Sequence, residues 1–142
     1  MAIADLFRPK HKHSNSEVRA AAVAAMDQDN LDLLVEVAER DGDASIRKSA
    51  IAKIADPELL AKVAESQNDA KLRTYAIGLA LKSWLADAIG SEDEAIAKNG
   101  FNHAANHGGD KAIAEIAGGA KLAVVREQAL ARLEDERALM QV

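Results

Sequence analysis

Two histidines four residues apart, His103 and His107, are the side chains in this 142-residue chain whose spacing could hold a metal ion. On a helix they share one face, and Asp110 follows closely enough to serve as a third ligand. The pattern stops there, because no glutamate sits beside the first histidine as in a zinc hydrolase helix. Counted forward from Ile96 and Phe101 the pair lies outside the core; counted back from Ala117 both imidazoles face inward. No metal is assigned.

Other stretches invite chemistry and lose it on inspection. Gly118-Gly119-Ala120-Lys121 has the composition of a phosphate loop, but no strand precedes it, no first glycine stands at the required spacing, and no Ser or Thr follows the lysine. It reads as a turn. Lys10-His11-Lys12-His13 is a small basic run that could touch a phosphate or hold a metal weakly; a solvated leader is the plainer reading. There is no cysteine and hence no thiolate nucleophile. No Ser/His/Asp order with supporting glycine turns and no isolated carboxylate pair stands out, so neither an enzyme nor a cofactor is expected.

Aromatic residues are scarce: two Phe, one Trp and one Tyr. Tyr75, Trp84 and Phe101 fall in the middle of the chain, where they either fill gaps between imperfect repeats or anchor a partner, as Trp and Tyr do at binding hot spots. Taken as a partner surface, they would be joined by Glu36, Glu39, Lys62 and Glu65, with Asp32 and Glu58, on the exposed sides of the neighbouring helices.

The elements that position these residues repeat. Ile46, Ala50, Ile51 and Ile54 make the apolar face of one helix. Asp56-Pro57-Glu58 then restarts the chain: a good N-cap, a proline at the first helical position and an acid at the positive end of the helix dipole. Leu59, Leu60, Val63 and Ala64 form the next stripe. The run from Asn30 matches the run from Asp56 without a gap over ten residues. An aliphatic-Arg pair followed by Ala-aliphatic recurs at Val18-Arg19, Ile46-Arg47, Leu72-Arg73 and Val125-Arg126. The arginines stand 28, 26 and 53 residues apart, the last close to two periods. Such a period predicts an all-α solenoid of about five short helical hairpins, because a hairpin this short buries its stripe only against its neighbours.

We place the repeats at about 15–43, 44–69, 70–91, 92–121 and 122–142, as one domain, with 1–14 as an N-terminal cap whose Ile3, Leu6 and Phe7 cover the open end. In the irregular fourth unit, Ile96 and Phe101 take the positions of Ile46 and Ile51, and Gly108-Gly109 ends the first helix. Leu139, Met140 and Val142 would be left without a following repeat, so more of the chain is expected beyond Val142. The net charge of −5 argues against a nucleic-acid surface. No apolar run is long enough to span a bilayer, and a cytoplasmic protein is the expectation.

The hairpin with its aliphatic-Arg pair, and an aspartate in the closing turn at Asp43 and Asp69, resembles HEAT repeats in their short bacterial form, over roughly Ser16 to Met140. The opening Leu6-Phe7-Arg8-Pro9-Lys10 also looks like an uncharacterised bacterial family that carries such repeats before a long, charged helical region. The HEAT resemblance implies a right-handed α-solenoid whose second helices line a concave docking face. It also implies a structural ladder in which Arg19, Arg47, Arg73 and Arg126 bridge turns of adjacent repeats through Asp43 and Asp69. Leu122 stands at the third aspartate position, so no such pairing is expected there. The family includes bilin lyases and a DNA glycosylase, which makes a lyase subunit the alternative to a protein-binding scaffold; the acidic, aromatic-poor chain does not suit a glycosylase.

Overall fold

The computed structural model describes residues 9–140, and all regular structure among them is helical. Ile3, Leu6, Phe7 and Val142, to which the sequence assigns capping or terminal roles, lie outside the described residues. The chain divides into two compact units, the first ending at Leu79 and the second starting at Ala80.

A short 3-10 turn at Lys10–Lys12 leads into the first unit, which holds α1 (Ser16–Ala25), α2 (Leu31–Arg40), α3 (Ala44–Lys53) and α4 (Pro57–Ser66). It also holds the N-terminal part of α5 (Ala70–Gly90). Each start has a local cause. Asn15 caps α1, Asp43 caps α3 and Asp56 caps α4 with side-chain oxygens that accept backbone N–H groups, and Asp69 does the same for Lys71 and Leu72 of α5. Replacing such a cap by alanine costs about 0.5–2 kcal/mol. Counterpart helices pack on one another, α1 on α3 and α2 on α4, and α2 also packs on α3. Their contact faces are the expected stripes: Leu34, Val37, Ile46, Ile51, Ile54, Leu60 and Val63 are all at most 3% exposed.

Lys53 ties the two hairpins from the side. Its ammonium donates to Ala24 O at 2.7 Å and Met26 O at 2.6 Å. It thereby satisfies carbonyls left open at the end of α1, where a cation is also favoured by the dipole.

The second unit holds the rest of α5, then α6 (Glu94–Gly119) and α7 (Ala123–Met140). Here two expectations are corrected. A hairpin was expected over 70–91, but α5 is one helix of 21 residues. Ser83 is of a type that can cap a helix, but no proline or glycine stands beside it to end the preceding turn, and Gly78 alone does not stop a helix. A hairpin was likewise expected over 122–142, but α7 runs as one helix of 18 residues. The Arg132–Glu136 ion pair, 3.3 Å at i,i+4 spacing, lies within it.

The break expected at Gly108-Gly109 is present, and the two glycines serve different ends. Gly109 adopts φ 62° and ψ −155°, backbone that only glycine enters freely. At Gly108 a Cβ would stand 2.6 Å from Ala112 Cβ and 2.9 Å from Leu81 Cδ1, so that position has no room for a side chain. The register before the break also differs from expectation. Ile96 is 47% exposed, whereas Ala97, Phe101, Ala104 and Ala105 are buried. Gly100 permits this roll, because its missing Cβ leaves space for the α5 backbone at Trp84 and Ala88. Leu130, Leu139 and Met140 of α7 are exposed, while Val125 and Ala129 are buried. Among the described residues no helix is long and apolar enough to cross a membrane.

Candidate functional site

The arginines are the most regular polar feature of the chain. Arg19 Nη1 donates to His13 O at 2.9 Å and Ser14 O at 3.0 Å. Arg47 Nη1 donates to Asp41 O at 2.7 Å, Arg73 Nη1 to Gln67 O at 2.8 Å, and Arg126 Nη1 to Ala120 O at 2.7 Å and Lys121 O at 3.0 Å. Every one of the four reaches the carbonyl six residues earlier. A guanidinium fork suits this task, since one edge holds the turn while the other remains free.

In the first unit the free edge joins consecutive turns. Arg19 Nε donates to Asp41 Oδ2 at 2.9 Å, with Nη2 to Oδ1 at 3.4 Å, and the Asp41 side chain is 3% exposed. Arg47 Nε donates to Gln67 Oε1 at 3.2 Å, and Gln67 Nε2 donates to the buried Ala38 O at 2.6 Å. Arg19, Asp41, Arg47, Gln67 and Arg73 thus form one continuous chain of polar contacts. Hydrogen bonds of this charge-assisted kind are worth about 1.5–3 kcal/mol each.

The aspartates expected as partners, Asp43 and Asp69, are instead the helix caps. Asp43 Oδ1 accepts Ser45 N at 2.8 Å and Ser45 Oγ at 2.7 Å, and these bonds, the hydroxyl's foremost, hold its carboxyl below the usual aspartate range. The arginine partner lies two residues before each cap. That position is His13, Asp41, Gln67, Ser91 and Ala120 in successive units, and sequence comparison passes over it because the residue types differ. Its carbonyl, not its side chain, is the constant part. His13, Gln67 and Ala120 are buried there (8%, 4% and 3% exposed), and Asp41 and Ser91 are half-buried. The fourth unit keeps the cap, Asp93, but has the buried Ala97 where an arginine would stand.

The proposed partner residues separate. Trp84 and Phe101 are 1% and 5% exposed and belong to the core of the second unit, so they anchor nothing at the surface. Tyr75 is half-buried in a cleft with Lys48, whose ammonium lies 4.9 Å from the ring centroid, close enough for a cation–π contact. Glu39 is half-exposed and Lys62 and Glu65 are exposed, on α2 and α4. Glu36 pairs with Lys12 at 3.2 Å, and the hydrogen bond from that ammonium holds its carboxyl below the usual range.

His103 and His107 share a face, as their spacing requires, and that face meets tryptophan. Trp84 stacks on His103 at 4.6 Å between ring centroids and 11° between planes, and on His107 at 4.9 Å and 16°. Asp110 does not join them; it hydrogen-bonds Glu136, which raises the Glu136 carboxyl above its usual value. No three His, Asp or Glu side chains come together in a metal-holding group among the described residues. The indole Nε1 of Trp84 is buried without a hydrogen-bond partner there.

No protein-family model matches the chain, no curated protein matches it in sequence, and no solved structure matches its fold.

Proposed function

We propose that this chain is a non-catalytic docking module of HEAT-like type, a short right-handed α-solenoid acting in the cytoplasm as a scaffold for a protein partner. The observation that carries the reading is the arginine ladder, four guanidinium groups each gripping the carbonyl six residues back. It repeats one turn geometry, and at Arg19 and Arg47 it also joins consecutive turns of the first unit. A rigid row of helices offers a preformed surface, which lowers the entropic cost of holding an extended partner.

The docking face of this reading is the outer side of α2 and α4. Asp32, Glu36, Glu39, Glu58 and Glu65 there outnumber Arg40 and Lys62, so the partner is a segment with a basic, helical face. The same acidity disfavours nucleic acid. Trp84 and Phe101 are not part of this face.

Charge reversal at the rim tests it. Glu39→Lys with Glu65→Lys changes one half-exposed and one exposed position and should fold as the wild type does by circular dichroism. A protein crosslinked to the wild type through α2 or α4 should be lost from the double variant. Equal crosslinking of both folded proteins to the same partner would contradict the reading.

A further inference from the structure

The turn before α1 and the C-terminal end of α2 line a cavity of about 570 Å³, broadly open to solvent, whose walls include His11, Lys12, Arg19, Glu36, Arg40 and Asp41. Small-molecule sites span roughly 300–1,000 Å³. The basic run that reads as a solvated leader in the sequence is folded into this wall. His13 is 8% exposed, and its Nδ1 accepts the Asn15 N–H at 3.0 Å.

Most charges around the cavity are matched. Arg19 holds Asp41 at 2.9 Å, and Lys12 holds Glu36 at 3.2 Å. Two groups keep hydrogen-bonding capacity, although both also act on Glu36 and, after Lys12, help to hold its carboxyl low. Arg40, exposed in the last turn of α2, makes no ion pair among the described residues. His11 Nε2 is buried and has no hydrogen-bond partner among them. A buried polar atom left unbonded costs about 1–3 kcal/mol, which a ligand acceptor would remove. Lys12 is the adjustable member: its side chain is 56% exposed, and an exposed ion pair of this kind holds by at most about 1 kcal/mol.

From these groups we infer that the cavity binds the oxyanion of a small molecule, a phosphate or carboxylate. Arg40 presents its fork to two oxygens, the Nε2 edge of His11 turns its N–H to a third, and Lys12 swings from Glu36 to share its charge. An anion suits the site better than a cation, because both carboxylates in the wall are engaged and Arg40, which makes no ion pair among the described residues, can only donate. The volume leaves space for a body larger than the bare anion.

The test is an NMR titration of the full chain at low ionic strength with inorganic phosphate, ribose 5-phosphate and citrate, following the His11 imidazole and Arg40 guanidinium signals. Saturable shifts at His11, Lys12 and Arg40 are expected, and whichever organic anion binds tighter than inorganic phosphate names the ligand's headgroup. Arg40→Gln and His11→Ala should each weaken binding about tenfold, and the distant Lys71→Gln should not. Shifts that never saturate, or that Lys71→Gln reduces as much as Arg40→Gln, would overturn the inference. Glu36 and Arg40 belong both to this cavity and to the proposed docking face, but His11 and Lys12 line the cavity alone and Glu39 and Glu65 lie outside it, so His11→Ala and the Glu39→Lys, Glu65→Lys pair test the two readings apart.

Discussion

Gly100 is where a single methyl group should have the largest effect. A Cβ built there would lie 2.6 Å from Trp84 O, 2.8 Å from Ala88 N and 2.9 Å from Asp87 Cβ. Two of these are backbone atoms of α5, which cannot rotate aside, so Gly100→Ala must push α6 away from α5. Alanine gains about 1 kcal/mol in helix propensity over glycine. Overpacking against a rigid neighbour costs about 1–3 kcal/mol, and a clash with backbone belongs at the upper end. The net expectation is a destabilisation of about 1–2 kcal/mol. Gly78→Ala is the control, since nothing lies within 4 Å of its Cβ; it should stabilise by about 0.5–1 kcal/mol. Urea unfolding separates the two, read by circular dichroism for the whole chain and by the fluorescence of Trp84, the chain's one tryptophan, for the second unit. Midpoints that move in the same direction for both variants would refute the close helix approach.

Gln67→Leu removes the donor to Ala38 O and the acceptor of Arg47, and should cost about 1–3 kcal/mol in urea unfolding, more than a cap deletion at Asp43. Arg47→Lys keeps the charge but loses the fork, so it should recover only part of the loss seen in Arg47→Ala. The Glu136 carboxyl is raised above its ordinary 4.5, first by its hydrogen bond with Asp110. The folded chain therefore holds that proton more tightly than the unfolded one. Its contribution to stability is complete below about pH 4.5 and fades as pH rises through the raised value. Asp110→Asn should flatten the thermal midpoint across that window, and an unchanged slope would count against the contact.

Local signals made the first unit legible. Asp56 marks the start of α4 in the sequence as in the structure, while Asp43 and Asp69, read as arginine partners, prove to cap α3 and α5, and the stripes between them are buried as their spacing predicts. The second unit was harder to read because its departures come from space rather than pattern. Absence of a breaker let α5 and α7 run through the expected turns, and Gly100 let α6 roll until Ile96 faced outward. The arginines were legible as structural residues, but their partners were not. Asp41 and Gln67 differ in type, and the aspartates that do repeat are occupied as caps. The histidine pair shows the same limit: spacing put both imidazoles on one face, but nothing in the sequence says that the face meets Trp84.

The central claim is that α2 and α4 present an acidic docking face to a basic helical segment. The direct measurement is an amide NMR titration of the chain with a lysine-rich amphipathic peptide at low and high salt. Saturable shifts are expected at Asp32, Glu36, Glu39, Glu58, Lys62 and Glu65, weakened as salt screens the charges. No saturable shift on α2 or α4 at low salt, or shifts centred on other helices, would contradict it.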